Sequence, residues 1–195
     1  MSKNRDTKEE ILKSAVRLFS KHNYHTVSIL EIAECAEVSK GTVYWYFDSK
    51  KELFREIIVQ GQSYFNEHFK KIAGSNKNSE DKICEIIKTV LETLTEHLNF
   101  LTVFRNNMEL INKEIQNKLE EKHDEIIRVF SQIIKEGMDE KIIKIGNPVH
   151  ISTMILSVLF TPHTQDLMIN NIEGIDNQVE FVYDFIMNGI SRKEQ

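Results

Sequence analysis

Three times within its first fifty-two residues this chain repeats the pattern Ser/Thr-x-x-Glu, at Thr7–Glu10, Ser28–Glu31 and Ser49–Glu52. In such a capping box the hydroxyl accepts from a backbone N–H three residues on, and the glutamate reaches back to the N–H of the capping residue. Each box marks a helix start, and apolar residues at helical spacing follow. After Thr7 come Ile11, Leu12, Ala15, Val16, Leu18 and Phe19, one face of a helix. Only two prolines and seven glycines interrupt 195 residues, which favours long helices over many short strands. No stretch alternates apolar and polar residues as a half-buried strand would. The expected fold class is all-α.

The pattern predicts further helices over 29–36, 40–47 and 50–73, then a small, polar loop at 74–79 (GSNKNS). Ser79 opens the next helix, with Ile83, Ile87, Val90, Leu91, Leu94 and Leu98 in register. Another begins at Asn99, with Phe100, Leu101, Phe104 and Met108 on its apolar side, and a long one covers 112–137. Gly146-Asn147-Pro148 reads as a stop and a start, because proline suits the first helical turn. That helix reaches about 160, where Pro162 should bend or end it, and a last helix spans 176–191.

Net charge is −5, which by itself disfavours a nucleic-acid partner. Its distribution does not. Residues 1–55 hold ten Lys/Arg against eight Asp/Glu, and residues 56–195 hold fifteen against twenty-two. A mildly basic head on an acidic body suits a small DNA-binding unit joined to a part that must stay off DNA. The residues after Met1 show no apolar leader, and the run from Met154 to Phe160 is too short to span a bilayer. Cys35 and Cys84 match no metal or redox spacing, and Cys35 is expected to be a small buried hydrophobe. The expected location is the cytoplasm, with no membrane partner.

Residues 26–50, TVSILEIAECAEVSKGTVYWYFDSK, carry the functional signal. Two short helices joined by a turn around Glu37-Val38 make a helix-turn-helix. Ile29, Ile32, Ala33, Ala36 and Val38 supply its apolar side, and Val43 and Phe47 close it from the second helix. A Tyr-Trp-Tyr run more often packs in a core. Here, burying Val43 and Phe47 turns part of Tyr44, Trp45 and Tyr46 outward, since consecutive helical residues point about 100° apart. With Ser39, Lys40 and Thr42 beside them, these groups can reach thymine methyls, base edges and phosphates in a major groove. Gly41 allows close backbone approach, the N–H groups at the Ser28 and Ser39 caps can hold phosphates, and Lys50 is placed for another. Which aromatic ring reads a base is left open.

The segment TKEEILKSAVRLFSKHNYHTVSILEIAECAEVSKGTVYWYFDSKKELF resembles the DNA-binding domain of the TetR/AcrR family of transcriptional regulators. The likeness rests on the opening-helix face, Tyr24, the Ile-Ala of the second helix, Val38 to Tyr44, Phe47, Ser49-Lys50 and Leu53. It covers about a quarter of the chain. Two positions depart from the family: Asn23 and Glu37 stand where glycine is common, and asparagine tolerates a left-handed backbone. The resemblance implies that Lys40, Gly41, Thr42 and Trp45 face the groove while Ser28, Ser39, Tyr44, Tyr46 and Lys50 mainly contact phosphates. It also implies a DNA-binding domain over residues 1–48 and a helical ligand-binding and dimerisation domain over 49–195. The last two long helices would pair two copies into a homodimer on a palindromic, double-stranded operator. A small, apolar effector would shift the helix at 50–73 and release the DNA, so the implied activity is that of a repressor.

For the effector cavity, the phenylalanine and methionine excess offers Phe65, Phe69, Phe100, Phe104, Met108 and Met154 as candidate lining. No metal or cofactor is expected. Glu120 and His123 have the spacing of a helical di-iron ligand pair, but no second copy exists. His22 and His25 lack a third ligand and read as surface. The competing reading, a helical enzyme or a carrier of apolar molecules, requires a catalytic or metal constellation, and no nucleophile–base pairing or glycine-rich phosphate loop is present. The chain is not expected to be an enzyme.

Overall fold

The computed structural model describes residues 2–161 and 174–191. At Ser28 both halves of the capping box form: Glu31 N–H donates to Ser28 Oγ at 3.2 Å, and Ser28 N–H donates to Glu31 at 2.7 Å. The backbone and side-chain bonds from Ser28 hold the Glu31 carboxyl below the usual carboxylate range. Ser49 likewise accepts from Glu52 N–H at 3.1 Å. The first box behaves differently. Helix α1 runs Ser2–Lys21 and passes through Thr7, because nothing in the polar residues ahead of Thr7 breaks a helix.

Helices α2 (Ile29–Cys35), α3 (Lys40–Tyr46) and α4 (Lys50–Ala73) follow as expected. Then come α5 (Ser79–Glu96), α6 (Leu98–Arg105), a 3-10 turn at Met108–Leu110 and α7 (Lys113–Asp139). Asn112 caps α7 by accepting from Ile115 N–H at 3.0 Å. Helix α8 (Pro148–Phe160) starts where Asn147 accepts from the N–H groups of Val149 and His150, with proline in the first turn. Helix α9 spans Ile175–Ile190. Among the described residues no strand forms, and one antiparallel bridge joins Ile143 to Ser191. Pro162, with the bend expected there, lies outside the described residues.

The chain divides into two compact units. The first holds the chain through Gln62 together with His97–Leu119, so it extends past the boundary expected at residue 48. Its core joins Ile11, Ala15 and Phe19 of α1, Ile32 and Ala33 of α2 and Val43 of α3 to Leu53 and Phe54 of α4 and Phe100 of α6. The Phe54 and Phe100 ring centroids lie 5.8 Å apart. Helix α6 packs on α1, and Arg55 Nε donates to the carbonyl of Leu110 at 2.7 Å.

This corrects half of the expected cavity lining. Phe100 is part of the helix-turn-helix core, Phe104 packs against that core, and Met108 is exposed on the 3-10 turn. A helical-period pattern shows that such side chains turn inward but not which core they enter.

The second unit comprises Ser63–Glu96 and the described residues from Glu120 onward. Phe65 meets the ring of Phe160 at 5.2 Å, and Phe69 meets Phe130 at 6.1 Å. Gly137 of α7 sits in close quarters: a Cβ there would lie 2.6 Å from Ile143 Cδ1 and 3.0 Å from Ser79 Oγ, so those side chains would have to shift. Ser79 is itself fully buried and bonds to Glu140 through both its N–H and its hydroxyl. Tyr183 of α9 donates to Glu80 of α5 at 2.6 Å, and burial with that bond pushes its phenol pKa up. The remaining cavity candidate, Met154, is 71% exposed on α8 and lines no interior.

Candidate DNA-binding surface

Helix α3 is positioned by its two ends. At the front, Ser39 Oγ accepts from Thr42 N–H at 3.0 Å and shares a hydrogen bond with the Thr42 hydroxyl at 2.8 Å. At the back, Phe47 leaves the helix in an extended conformation and is buried, as is Val43. With these two side chains facing inward, the opposite face stands free. Trp45 is 69% exposed and Tyr44 47%, while Lys40, Gly41 and Ser39 are exposed and Thr42 is half-buried. Lys40 Nζ lies 5.9 Å from the Tyr44 ring, and the Trp45 and Tyr46 rings meet edge to face at 4.6 Å.

Tyr46 differs from its neighbours. It is half-buried and packs against the head core, so the exposed aromatic pair is Tyr44 and Trp45. At Gly41 an added Cβ would meet only Ser39 Oγ, at an ordinary 3.5 Å. Nothing inside the protein therefore demands glycine there.

The turn before α3 contains a strained residue. Glu37 has φ +55°, a left-handed conformation that costs a non-glycine residue roughly 1–2 kcal/mol. Asn23, at the other departure from the family pattern, is not left-handed. Its Oδ1 accepts from His25 N–H at 3.0 Å, and its carbonyl accepts from the N–H and the hydroxyl of Thr26. The corner is built from side-chain hydrogen bonds instead of an unusual backbone angle.

Lys50 is also placed differently from expectation. Its ammonium donates to the carbonyls of Val27 at 2.7 Å and Tyr24 at 2.8 Å, approaches that of His25 at 3.5 Å, and lies 4.5 Å from the Tyr24 ring centroid. Burial lowers its pKa, with Glu31 opposing. A cation already surrounded by three carbonyls and a ring is a pin between the start of α4 and the loop before α2, and the phosphate role expected for it is not carried by this arrangement. Cys35 is half-exposed, not buried, with its sulfur accepting from Arg17 at 3.1 Å. Leu30, which sequence reasoning passed over, is 51% exposed two residues from Ser28. The adjacent apolar pair Ile29-Leu30 was the available signal, since only one of the two can face the core.

Comparison with known proteins decides what this surface belongs to. The profile described as bacterial regulatory proteins of the tetR family matches residues 11–57, and that of the tetracyclin repressor-like C-terminal domain matches residues 76–164. The HTH-type transcriptional regulator QacR of Staphylococcus aureus is 31% identical over 138 residues, covering 67% of this chain and 70% of QacR. The chain belongs to the TetR family.

Members of the TetR family are DNA-binding transcriptional regulators and not enzymes. Among solved structures, the regulator FadR from Bacillus subtilis in complex with stearoyl-CoA superposes with a TM-score of 0.74 at 22% identity, covering 93% of this chain and 98% of FadR. A transcriptional regulator from Saccharomonospora viridis in complex with choline gives 0.75 at 16% identity, covering 97% and 100%. These likenesses establish the TetR fold across both units. Among the described residues no group of three or more His, Cys, Asp or Glu side chains could share a metal ion, and no helix is long and apolar enough to cross a membrane.

Proposed function

We propose that this TetR-family regulator is a repressor that grips a palindromic operator as a homodimer in the cytoplasm and releases it when a small, largely apolar molecule enters the second unit. The observation that carries the reading is α3: its inner face is closed by Val43 and Phe47 while Lys40, Gly41, Tyr44 and Trp45 stand free. Trp45 and Tyr44 offer apolar and polar edges for base contact, Lys40 a cation, and the Ser28 and Ser39 caps N–H groups for phosphates. Thr42 lends its hydroxyl to the cap, so its groove contact is through its methyl group.

Dimerisation through α8 and α9 is supported by their outward faces. Met154 and Phe185, 64% exposed, line an open apolar groove with Ile155, Val158, Ile186 and Ile190. Apolar surface of this kind on a helix pair calls for a partner. A two-fold dimer would present two copies of α3 about 34 Å apart, one turn of DNA. Helix α4 belongs to the first unit up to Gln62 and to the second from Ser63, so it is the element through which an effector would act on the head. An effector that prefers the DNA-incompetent conformation a hundredfold shifts the balance by about 2.7 kcal/mol per site. The stearoyl-CoA and choline held by the two solved relatives support a small-molecule effector for this chain.

The test is fluorescence anisotropy with the DNA upstream of the chain's own gene. Binding should weaken steeply with salt, and W45A or K40A should reduce affinity at least tenfold without loss of helical content. Binding that ignores salt, or that survives both substitutions unchanged, would sink the reading.

A further inference from the structure

Among the described residues, buried side-chain atoms without any hydrogen-bond partner occur at two places, Asn66 and Ser152, and both belong to the second unit. Three other buried polar side chains are visibly satisfied. Asn107 donates to the carbonyl of Val103 at 2.7 Å, Ser79 bonds to Glu140, and Lys82 pairs with Glu136 at 2.8 Å. Along α8 and at its C-cap, Thr153, Ser157 and Thr161 each donate to the carbonyl four residues back, yet the hydroxyl of Ser152 does not. Asn66 is the stronger case. It is 4% exposed, and neither its Nδ2 nor its Oδ1 is paired. Next to it on α4 is Phe65, packed on Phe160, and one turn on is Phe69, packed on Phe130. A buried carboxamide with neither atom paired has lost water at both its donor and its acceptor and recovered nothing from the protein. Leucine would pack there without that penalty.

We propose that Asn66 is the polar anchor of the effector site, and that it selects an uncharged ligand group able both to donate and to accept hydrogen bonds, such as a primary amide or an alcohol on an apolar body. The inference rests on the reading of the second unit as the effector-binding body. The two faces of an asparagine amide, NH2 and C=O, match a primary amide in a planar, two-bond pairing, and an alcohol can bond to one face at a time. A charged head is disfavoured because the one buried charged side chain among the described residues, Lys82, is already neutralised by Glu136. A carboxylate or quaternary ammonium would enter without a counter-charge.

The experiment compares the full-length protein with its Asn66→Leu variant, using octanamide, 1-octanol, octanoate and octyltrimethylammonium, four probes with one tail and different heads. Melting temperature, calorimetric titration and anisotropy on the upstream DNA are read together. N66L should melt about 2–4 °C higher than the wild type, because an unpaired amide has been replaced by apolar packing. Octanamide and 1-octanol should bind the wild type at least tenfold more tightly than either charged probe does, and should lose at least tenfold on N66L. Melting of N66L several degrees lower would show that Asn66 makes structural hydrogen bonds, through bound water for instance, and would overturn the proposal. So would equal binding of octanamide to both proteins, or tightest binding of octanoate. If N66L and the wild type hold the DNA alike while the neutral probes fail, the anchor assignment alone falls. If the wild type binds no DNA, the regulator reading falls with it.

Discussion

Gly41 and Lys50 separate residues that serve the fold from residues that serve DNA. Space for a Cβ exists at Gly41, and alanine favours a helix over glycine by about 1 kcal/mol, so G41A should fold at least as stably as the wild type. If the α3 backbone lies against the duplex, the same methyl group should lower operator affinity at least tenfold. Denaturant melts beside anisotropy titrations would read the two effects separately, and unchanged affinity would show that the backbone keeps its distance. Lys50 gives the opposite split. K50M leaves the carbonyls of Tyr24 and Val27 without their donor and should cost about 1–3 kcal/mol of stability. A lysine on a phosphate would contribute about 0.9 to the slope of log affinity against log salt. For K50M the slope should stay at its wild-type value even as affinity falls.

At the scale of the element, local chemistry and packing part company. The helix boundaries of α2, α3, α4 and α8 were readable because they depend on contacts three or four residues apart: Ser28 with Glu31, Ser39 with Thr42, Asn147 with His150. The Thr7 box misled for the complementary reason. It states that a helix can start there, and nothing upstream prevents an earlier start. Close approach between elements is invisible at this range. Gly137 sits inside α7 where helix propensity would prefer alanine, and only the coordinates show Ile143 and Ser79 against it. A larger side chain must displace a buried isoleucine, so G137V should destabilise the protein by about 2–3 kcal/mol, measurable as a lower denaturation midpoint. An unchanged midpoint would mean that the loop at Ile143 yields freely.

For the whole molecule, the exposed faces of α8 and α9 make an oligomer the expected functional state. M154E and F185E place charges on side chains that are exposed in the single chain, so each variant should fold. Light scattering should find the wild type dimeric and each variant monomeric. Operator affinity should fall at least tenfold, because two heads tethered to adjacent half-sites reinforce each other. A dimeric double variant would exclude this face as the interface.

The all-helical class, most helix boundaries and the helix-turn-helix were legible in residue order alone, since caps, periodicity and turn signals act over a few residues and need no knowledge of distant neighbours. Tertiary structure alone decided which apolar side chains share a core and which polar groups are left over. Phe65 and Phe100 look alike in the sequence, yet one lies in the second unit and the other closes the first. Lys50 is a phosphate ligand by pattern and a carbonyl pin by geometry, and no short motif marks Asn66 as unpaired. Periodicity tells a side chain to turn inward. What it meets there depends on segments tens of residues away, which only the folded chain brings together.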